Sequence, residues 1–308
     1  MDDFALSTAW NASGHKDGTH VIDEIKDCGF DSVELNFTLT SRMVGDISSI
    51  VKKGGIKVRS LHNYCPIPEG LKQNEASPDY YSLASLDKDE RRMAIHYTKR
   101  TIEEAATLGA KAVVLHCGKV NSPDYTRKLI ELYEKGKKDC EEFTSIKDKM
   151  FSERRSNSKL HIDTILTSLG ELNAYAEKKR IMLGVENRFY FTEIPSLEEI
   201  GLILEEFRGS AIYYWHDAGH AQVFEELGFA GHKDYLNNYS GSMVGIHLHD
   251  IKGCHDHLAP GRGSLDFSIF KPYIRTDTLK IIEAHKTAST DDIKRAKAYL
   301  ENIFKEGA

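Results

Sequence analysis

The sequence predicts one α/β domain built as a closed (β/α)₈ barrel. Three observations carry that prediction. Eight short runs rich in Val, Ile, Leu and aromatics recur along the chain, and amphipathic segments separate most of them. The 308 residues suit one barrel with insertions and can bury a large core without disulfides. A doubly wound nucleotide-binding sheet would need a glycine-rich turn after an early strand. Trp10-Asn11-Ala12-Ser13-Gly14 supplies one glycine at the wrong spacing.

The expected strands are 4–10, 32–37, 57–62, 112–116, 181–186, 211–216, 244–249 and 279–284, each bounded by Gly, Asp, Asn or charged residues. A helix is expected over 86–108, where Ile95, Ile102, Ala105 and Ala106 share one side and Gly109 follows. Another is expected over 160–179, with Ile162, Ile165, Leu166, Leu169 and Leu172 at helical spacing. Segments 197–207 and 291–304 repeat the pattern. The charge-dense stretch 119–158 is too long for an ordinary connection and reads as an insertion over the barrel mouth, with a helix near 124–135. With no repeat, low-complexity tract or linker, the reading is a single domain over 1–308.

Composition narrows the function. Hydrophobic residues make up 40% and charged residues 29%, the profile of a globular domain in water. No run approaches the ~18–20 apolar residues of a membrane span. Met1-Asp2-Asp3-Phe4 lacks the features of a signal peptide, so the expectation is a cytoplasmic protein without a membrane partner. The five cysteines are odd in number and widely spaced, with no Cys-x-x-Cys, which argues against a disulfide framework or a cysteine zinc site. Cys117 falls in a loop near the expected site, but a catalytic thiol is not the preferred reading. Net charge is −6, from 41 basic and 47 acidic residues without a basic stripe. A small-molecule substrate therefore fits better than nucleic acid, and a homo-oligomer stays open.

The histidines and carboxylates at the strand ends are the strongest functional signal. His62 ends the third strand, His116 the fourth and Glu186 the fifth. Asp217 follows the sixth, with His220 three residues on, His247 lies on the seventh and Glu283 on the eighth. In a barrel these ends converge on one site. Burying six such groups together is costly without a cation, so a bound divalent metal is expected. Taken singly, Glu186 and Glu283 also fit salt-bridged rim positions, and Asp217 also fits a helix N-cap. His247-Leu248-His249 puts two imidazoles on one strand face, and spacing alone does not choose between them. His255-Asp256-His257 sits in a loop with glycine and proline.

Val185-Glu186-Asn187, Asp217-Ala218-Gly219-His220, His247-Leu248-His249-Asp250 and His257-Leu258-Ala259-Pro260-Gly261-Arg262-Gly263 resemble the motifs of the xylose isomerase-like TIM barrels. That superfamily holds sugar isomerases and epimerases, and the endonuclease IV-type apurinic endonucleases. The resemblance runs from the first strand to the last helix. By resemblance to the ketose epimerase branch, Glu186, Asp217, His247 and Glu283 hold one cation, and His247 is chosen over His249. The same branch implies that Glu186 and Glu283 move protons and that His220 contacts substrate. The endonuclease branch implies further ligands at His62 and His116 and at an Asp-x-His pair, where this chain has His255 at the Asp position and His257 at the other. His62, His116, His220, His257 and Arg262 are thus expected to contact substrate or a second metal. Arg188-Phe189-Tyr190-Phe191 replaces that branch's small residues after Glu186, and its bulk suits the lid of a compact pocket.

The function expected from this set is isomerisation or epimerisation of a small sugar, sugar phosphate or related hydroxy-carbonyl compound, with lyase and dehydratase variants included. A divalent cation on adjacent substrate oxygens would favour an enediolate, and the two glutamates would remove and return the proton. Mn²⁺ is preferred from the oxygen-rich ligand set, with Zn²⁺ or Mg²⁺ as alternatives. The competing readings are a zinc-dependent apurinic endonuclease-like phosphodiesterase and a non-catalytic metal-binding barrel.

Overall fold

Short, mostly buried strands alternate with amphipathic helices, and in the computed structural model, which describes residues 4–305, the strands close into one parallel barrel. They are β1 (Phe4–Ser7), β2 (Ser32–Leu35), β3 (Lys57–His62), β4 (Ala112–Leu115), β5 (Met182–Glu186), β6 (Ile212–Asp217) and β7 (Met243–Leu248). A two-stranded antiparallel sheet, β8 (Asp250–Lys252) with β9 (His255–Leu258), interrupts the series before β10 (Leu279–Ile282). Phe4 pairs with Lys280 and Leu6 with Val33, so β1 joins β10 to β2 and closes the ring. Burial on both faces explains why the strands read as apolar runs rather than alternating ones.

The helices are α1 (Gly18–Asp27), α2 (Ser41–Lys52), α3 (Lys88–Leu108), α4 (Thr126–Glu134), α5 (Glu141–Lys179), α6 (Leu197–Glu206), α7 (Ala218–Glu226), α8 (His232–Tyr239) and α9 (Thr290–Lys305). Asp17, Thr40, Asp87 and Ser196 cap α1, α2, α3 and α6 with their side-chain oxygens. Gly109 ends α3 at φ 72°, where a side chain would be strained.

One expectation needs correction. The stretch 119–158 is not separate from the helix expected over 160–179, because α5 runs unbroken for 39 residues, about 58 Å of helix. Its buried stripe includes Phe143, Met150, Arg154, His161, Ile165, Leu169 and Leu172. The two polar members hide the stripe from a reading of hydrophobicity. Arg154 donates to the Phe191 and Glu193 carbonyls and to Glu199 Oε2 at 2.6, 3.0 and 2.5 Å. His161 faces the Ala84 carbonyl at 2.8 Å and accepts from the Asn121 amide at 3.2 Å. The stripe is therefore continuous in space though broken in hydropathy.

Inside the barrel the Trp215 indole forms the floor of the mouth, against Ala5, Ala112, Val114, Val244 and Ile281. Gly184 and Gly245 make room for it, since a Cβ at either would come within 2.9 or 2.3 Å of the ring. The five cysteines are unpaired. Among the described residues no helix is long and apolar enough to cross a membrane.

Candidate functional site

β5, β6, β7 and β10 carry Glu186, Asp217 and His247 and lead into Glu283 at one end of the barrel. These four offer ligand atoms that all lie within 4.8 Å of one another. His247 is the hub. Its Nδ1 is 2.8 Å from Glu186 Oε1, 3.0 Å from Glu283 Oε2 and 3.6 Å from Asp217 Oδ2. The set of one imidazole and three carboxylates, all buried, fits a divalent cation: it supplies four ligand atoms and negative charge that the protein alone leaves crowded. Burial opposes charge on these groups, yet their mutual attraction wins. The His247 imidazole is held well above its ordinary range, Glu186 and Asp217 well below theirs, and Glu283 is lowered to about 2.

The rest of the frame orients this set. His247 Nε2 sits 3.1 and 3.2 Å from the two oxygens of Glu34, a fully buried carboxylate of β2. Glu34 is fixed in turn by the hydroxyls of Ser7 at 3.2 Å and Ser60 at 2.7 Å. Asn187 accepts from the Asp217 amide at 2.8 Å, donates to its carbonyl at 3.0 Å, and takes the Tyr214 hydroxyl at 2.9 Å. Asp217 also caps α7 by accepting from the His220 amide at 2.7 Å, so the capping and site roles coexist.

His249, which the sequence left competing with His247, plays a different part. Its Nδ1 accepts from the His257 amide at 2.9 Å, so its Nε2 carries the proton and donates to both Asp217 oxygens at 3.0 Å. It braces Asp217 and is not free to ligate in this arrangement. Gly219 makes room for it: a Cβ there would lie 2.1 Å from the imidazole.

A cavity of about 580 Å³ opens above. Glu186 and Glu283 line it, with His62, His116, His220 and His257, whereas Asp217 and His247 lie behind them. Three of these histidines tie Nδ1 to an oxygen: His62 to the Asn63 carbonyl at 3.1 Å, His116 to Asp79 at 2.9 Å and His220 to the Asn187 carbonyl at 3.1 Å. His62 and His220 thereby turn Nε2 toward the cavity, whereas His116 Nε2 is taken up by Arg188 and Glu186. Burial and then His116 push the His62 imidazole below its ordinary range. His257 is held up to about 9, because Asp256 at 3.0 Å outweighs its burial.

Two expectations are corrected here. His255 does not take the place of an acidic partner. It is exposed and pairs with Glu134 at 3.0 Å, while Asp256 faces both His257 and His220 Nε2, the latter at 3.8 Å. Arg262 does not line the cavity. It pairs with Asp292 at an exposed position beside a separate depression. Its glycine neighbours matter for their backbone: Gly261, Gly263, Leu265 and Ile251 all donate to the buried Asp250 carboxylate, at 2.8–3.0 Å. Arg262→Ala is accordingly expected to leave metal content and turnover unchanged and to move stability little, checked by elemental analysis and thermal denaturation.

Glu34 and Asp79 belong to the frame although the sequence gives them no role, and Arg188 and His249 belong to it in parts other than lid bulk and rival ligand. Glu34 had a visible signal, a carboxylate between Val33 and Leu35 in an apolar strand. Asp79 had none, since it reaches His116 from the long β3–α3 connection.

A parallel barrel with this crown of histidines and carboxylates at one end is of the xylose isomerase-like kind. The chain belongs to the xylose isomerase-like TIM barrel family, which matches residues 22–303. No curated protein sequence matches it significantly. Similar solved structures include 3-keto-D-glucoside 4-epimerase from E. coli, at 15% identity and TM-score 0.68, covering 97% of this chain and 99% of that one. D-psicose 3-epimerase with D-tagatose from Clostridium cellulolyticum H10 is similar at 12% identity and TM-score 0.68, covering 98% and 99%. IolI with a bound zinc atom is similar at 12% identity and TM-score 0.65, covering 99% and 98%.

Proposed function

We propose that this protein is a divalent-metal-dependent isomerase or epimerase of a small sugar, sugar phosphate or related hydroxy-carbonyl compound. The observation that carries the reading is the division of labour among the four core residues. All four share one centre, but only Glu186 and Glu283 reach the cavity, while Asp217 and His247 hold position from behind. Two carboxylates at one substrate carbon are what proton removal and return require. These residues would hold a divalent cation, Mn²⁺ in preference to Zn²⁺ or Mg²⁺, which would supply Lewis-acid stabilisation of negative charge developing on substrate oxygens. His62, His116, His220 and His257 surround the substrate hydroxyls, and Phe37 and Phe189 add apolar walls to the same cavity. A cavity of about 580 Å³ suits a monosaccharide.

Metal-reconstituted protein is expected to incorporate solvent deuterium beside the carbonyl of at least one member of a ketose and ketose-phosphate panel, read by NMR. No exchange on any sugar, with or without metal, would overturn the reading. A phosphodiesterase reading draws on Asp256, which joins His220 and His257 in a further ligand group. Cleavage of an abasic duplex without deuterium exchange would favour it.

Glu34 offers a test of the centre independent of substrate. By facing Nε2 it holds the His247 proton on that side and leaves Nδ1 to ligate. Glu34→Gln is expected to weaken metal affinity about 10–100-fold, the usual scale for losing such an orienting carboxylate, in a competition titration with a chelating dye.

A further inference from the structure

His62, His116 and Glu186 form a second group whose ligand atoms lie within 4.8 Å of one another, beside the core set and sharing Glu186 with it. In chemistry it could hold another cation. A protein cation already stands there. The Arg188 guanidinium is buried, and its Nη1 donates to Glu186 Oε2 at 2.6 Å and stands against His116 Nε2. His116 Nε2 and Glu186 Oε2 are themselves 2.9 Å apart, so Nη1 sits against both, where a metal shared between them would sit.

We infer that Arg188 is a built-in replacement for a second metal: its guanidinium occupies the His116–Glu186 side of this group, and no ion binds there. The inference rests on the core site being the metal centre only for its consequence, that this part of the cavity works with one cation. Three observations support it. Arg188 is clamped, because Nη2 donates to Glu193 Oε1 at 3.1 Å and lies 3.6 Å from Asp79 Oδ2. Its clamp is built: Arg154, buried under the same loop, holds the Phe191 and Glu193 carbonyls and fixes the segment that carries Arg188. Its charge is matched, because the carboxylates of Glu186 and Glu193 and, at 3.6 Å, Asp79 converge on it. A guanidinium supplies positive charge and directed donors, but it has no empty coordination position. It therefore neutralises the group without activating a water, which suits proton transfer at carbon and not hydrolysis.

The test counts cations. Wild type, His116→Ala, Arg188→Met and the double variant are stripped with chelator, dialysed separately against Mn²⁺ and Zn²⁺, and analysed for metal per chain. Arg188→Met is expected to bind one cation more than wild type, and the gain is expected to vanish in the double variant. Wild type and His116→Ala should bind equal numbers. In the Mn²⁺ form, only Arg188→Met should show the exchange-coupled EPR spectrum of two ions bridged by Glu186. Two results overturn the inference: loss of a cation in His116→Ala alone, or no gain in folded Arg188→Met. Should Arg188→Met fail to fold, the His116→Ala comparison and the uncoupled wild-type spectrum still decide it. If wild type binds no metal but Arg188→Met gains a His116-dependent ion, this inference stands and the metal-dependent function falls.

Discussion

Glu186→Gln and Glu283→Gln are each expected to lower kcat about 10²–10⁴-fold on the true substrate while the chain stays folded and loaded. Glutamine keeps the size of the side chain and one ligating oxygen but cannot take up a proton. The two residues are separated around the ring by β6 and β7, so they approach a central substrate from different directions. Yet Glu186 Oε1 and Glu283 Oε2 lie 2.8 and 3.0 Å from the same atom, His247 Nδ1, so each points one oxygen at the cation position. The other Glu186 oxygen is engaged by Arg188 at 2.6 Å. Both carboxyls are held low by their histidine partners despite burial, so both are ionised at neutral pH, and a proton taken up by either is readily given back. Turnover and deuterium wash-in should be measured with metal content alongside, because loss of metal would mimic loss of a base. If either variant keeps its metal and near-full turnover, that residue is only a ligand and the two-base mechanism is wrong.

The sequence makes the barrel legible because strand burial is uniform there: Ala112–Leu115 and Met243–Leu248 are buried at every residue and read as apolar blocks. It makes the core four legible because each stands at or just beyond a strand end, where chain order maps onto position around the ring. The missed features obey other rules. α5 is hidden because Arg154 and His161 replace apolar residues in its buried stripe, and their partners are backbone groups and the distant Glu199, which composition cannot reveal. Arg188 reads as bulk because its meaning depends on Glu193 and Asp79, five residues away and across the cavity mouth. Arg262 errs the other way. It sits in a matching motif whose purpose is to deliver glycine amides to Asp250, and its own side chain turns out to Asp292. Motif membership marks the backbone there, not the arginine.

Metal affinity is expected to fall about tenfold for each pH unit lost on the acid side of neutrality, the signature of one proton displaced per cation bound. The sign follows from which groups must change state. Glu186 and Asp217 are held well below the usual carboxylate range and Glu283 is lowered to about 2, so they are ionised across any working pH and release nothing. His247 is opposite. Burial disfavours its imidazolium, but Glu283 and Glu34, joined by Asp217 and Glu186, outweigh that and keep the metal-free ring protonated at neutral pH. Ligation needs the Nδ1 lone pair, while the Nε2 proton can stay on its bond to Glu34. Binding therefore expels one proton, and affinity rises with pH until the solution passes the raised His247 value and then levels. Between pH 6 and pH 8 the change should approach about 100-fold, or roughly 2.7 kcal/mol. Chelator competition at several pH values gives the slope, and calorimetry in buffers of different ionisation enthalpy counts the proton directly. A slope near two would bring in His257, which is held up to about 9 by Asp256. A flat profile over that range would mean that the cation does not meet His247 Nδ1, and the centre would have to be redrawn around the carboxylates alone.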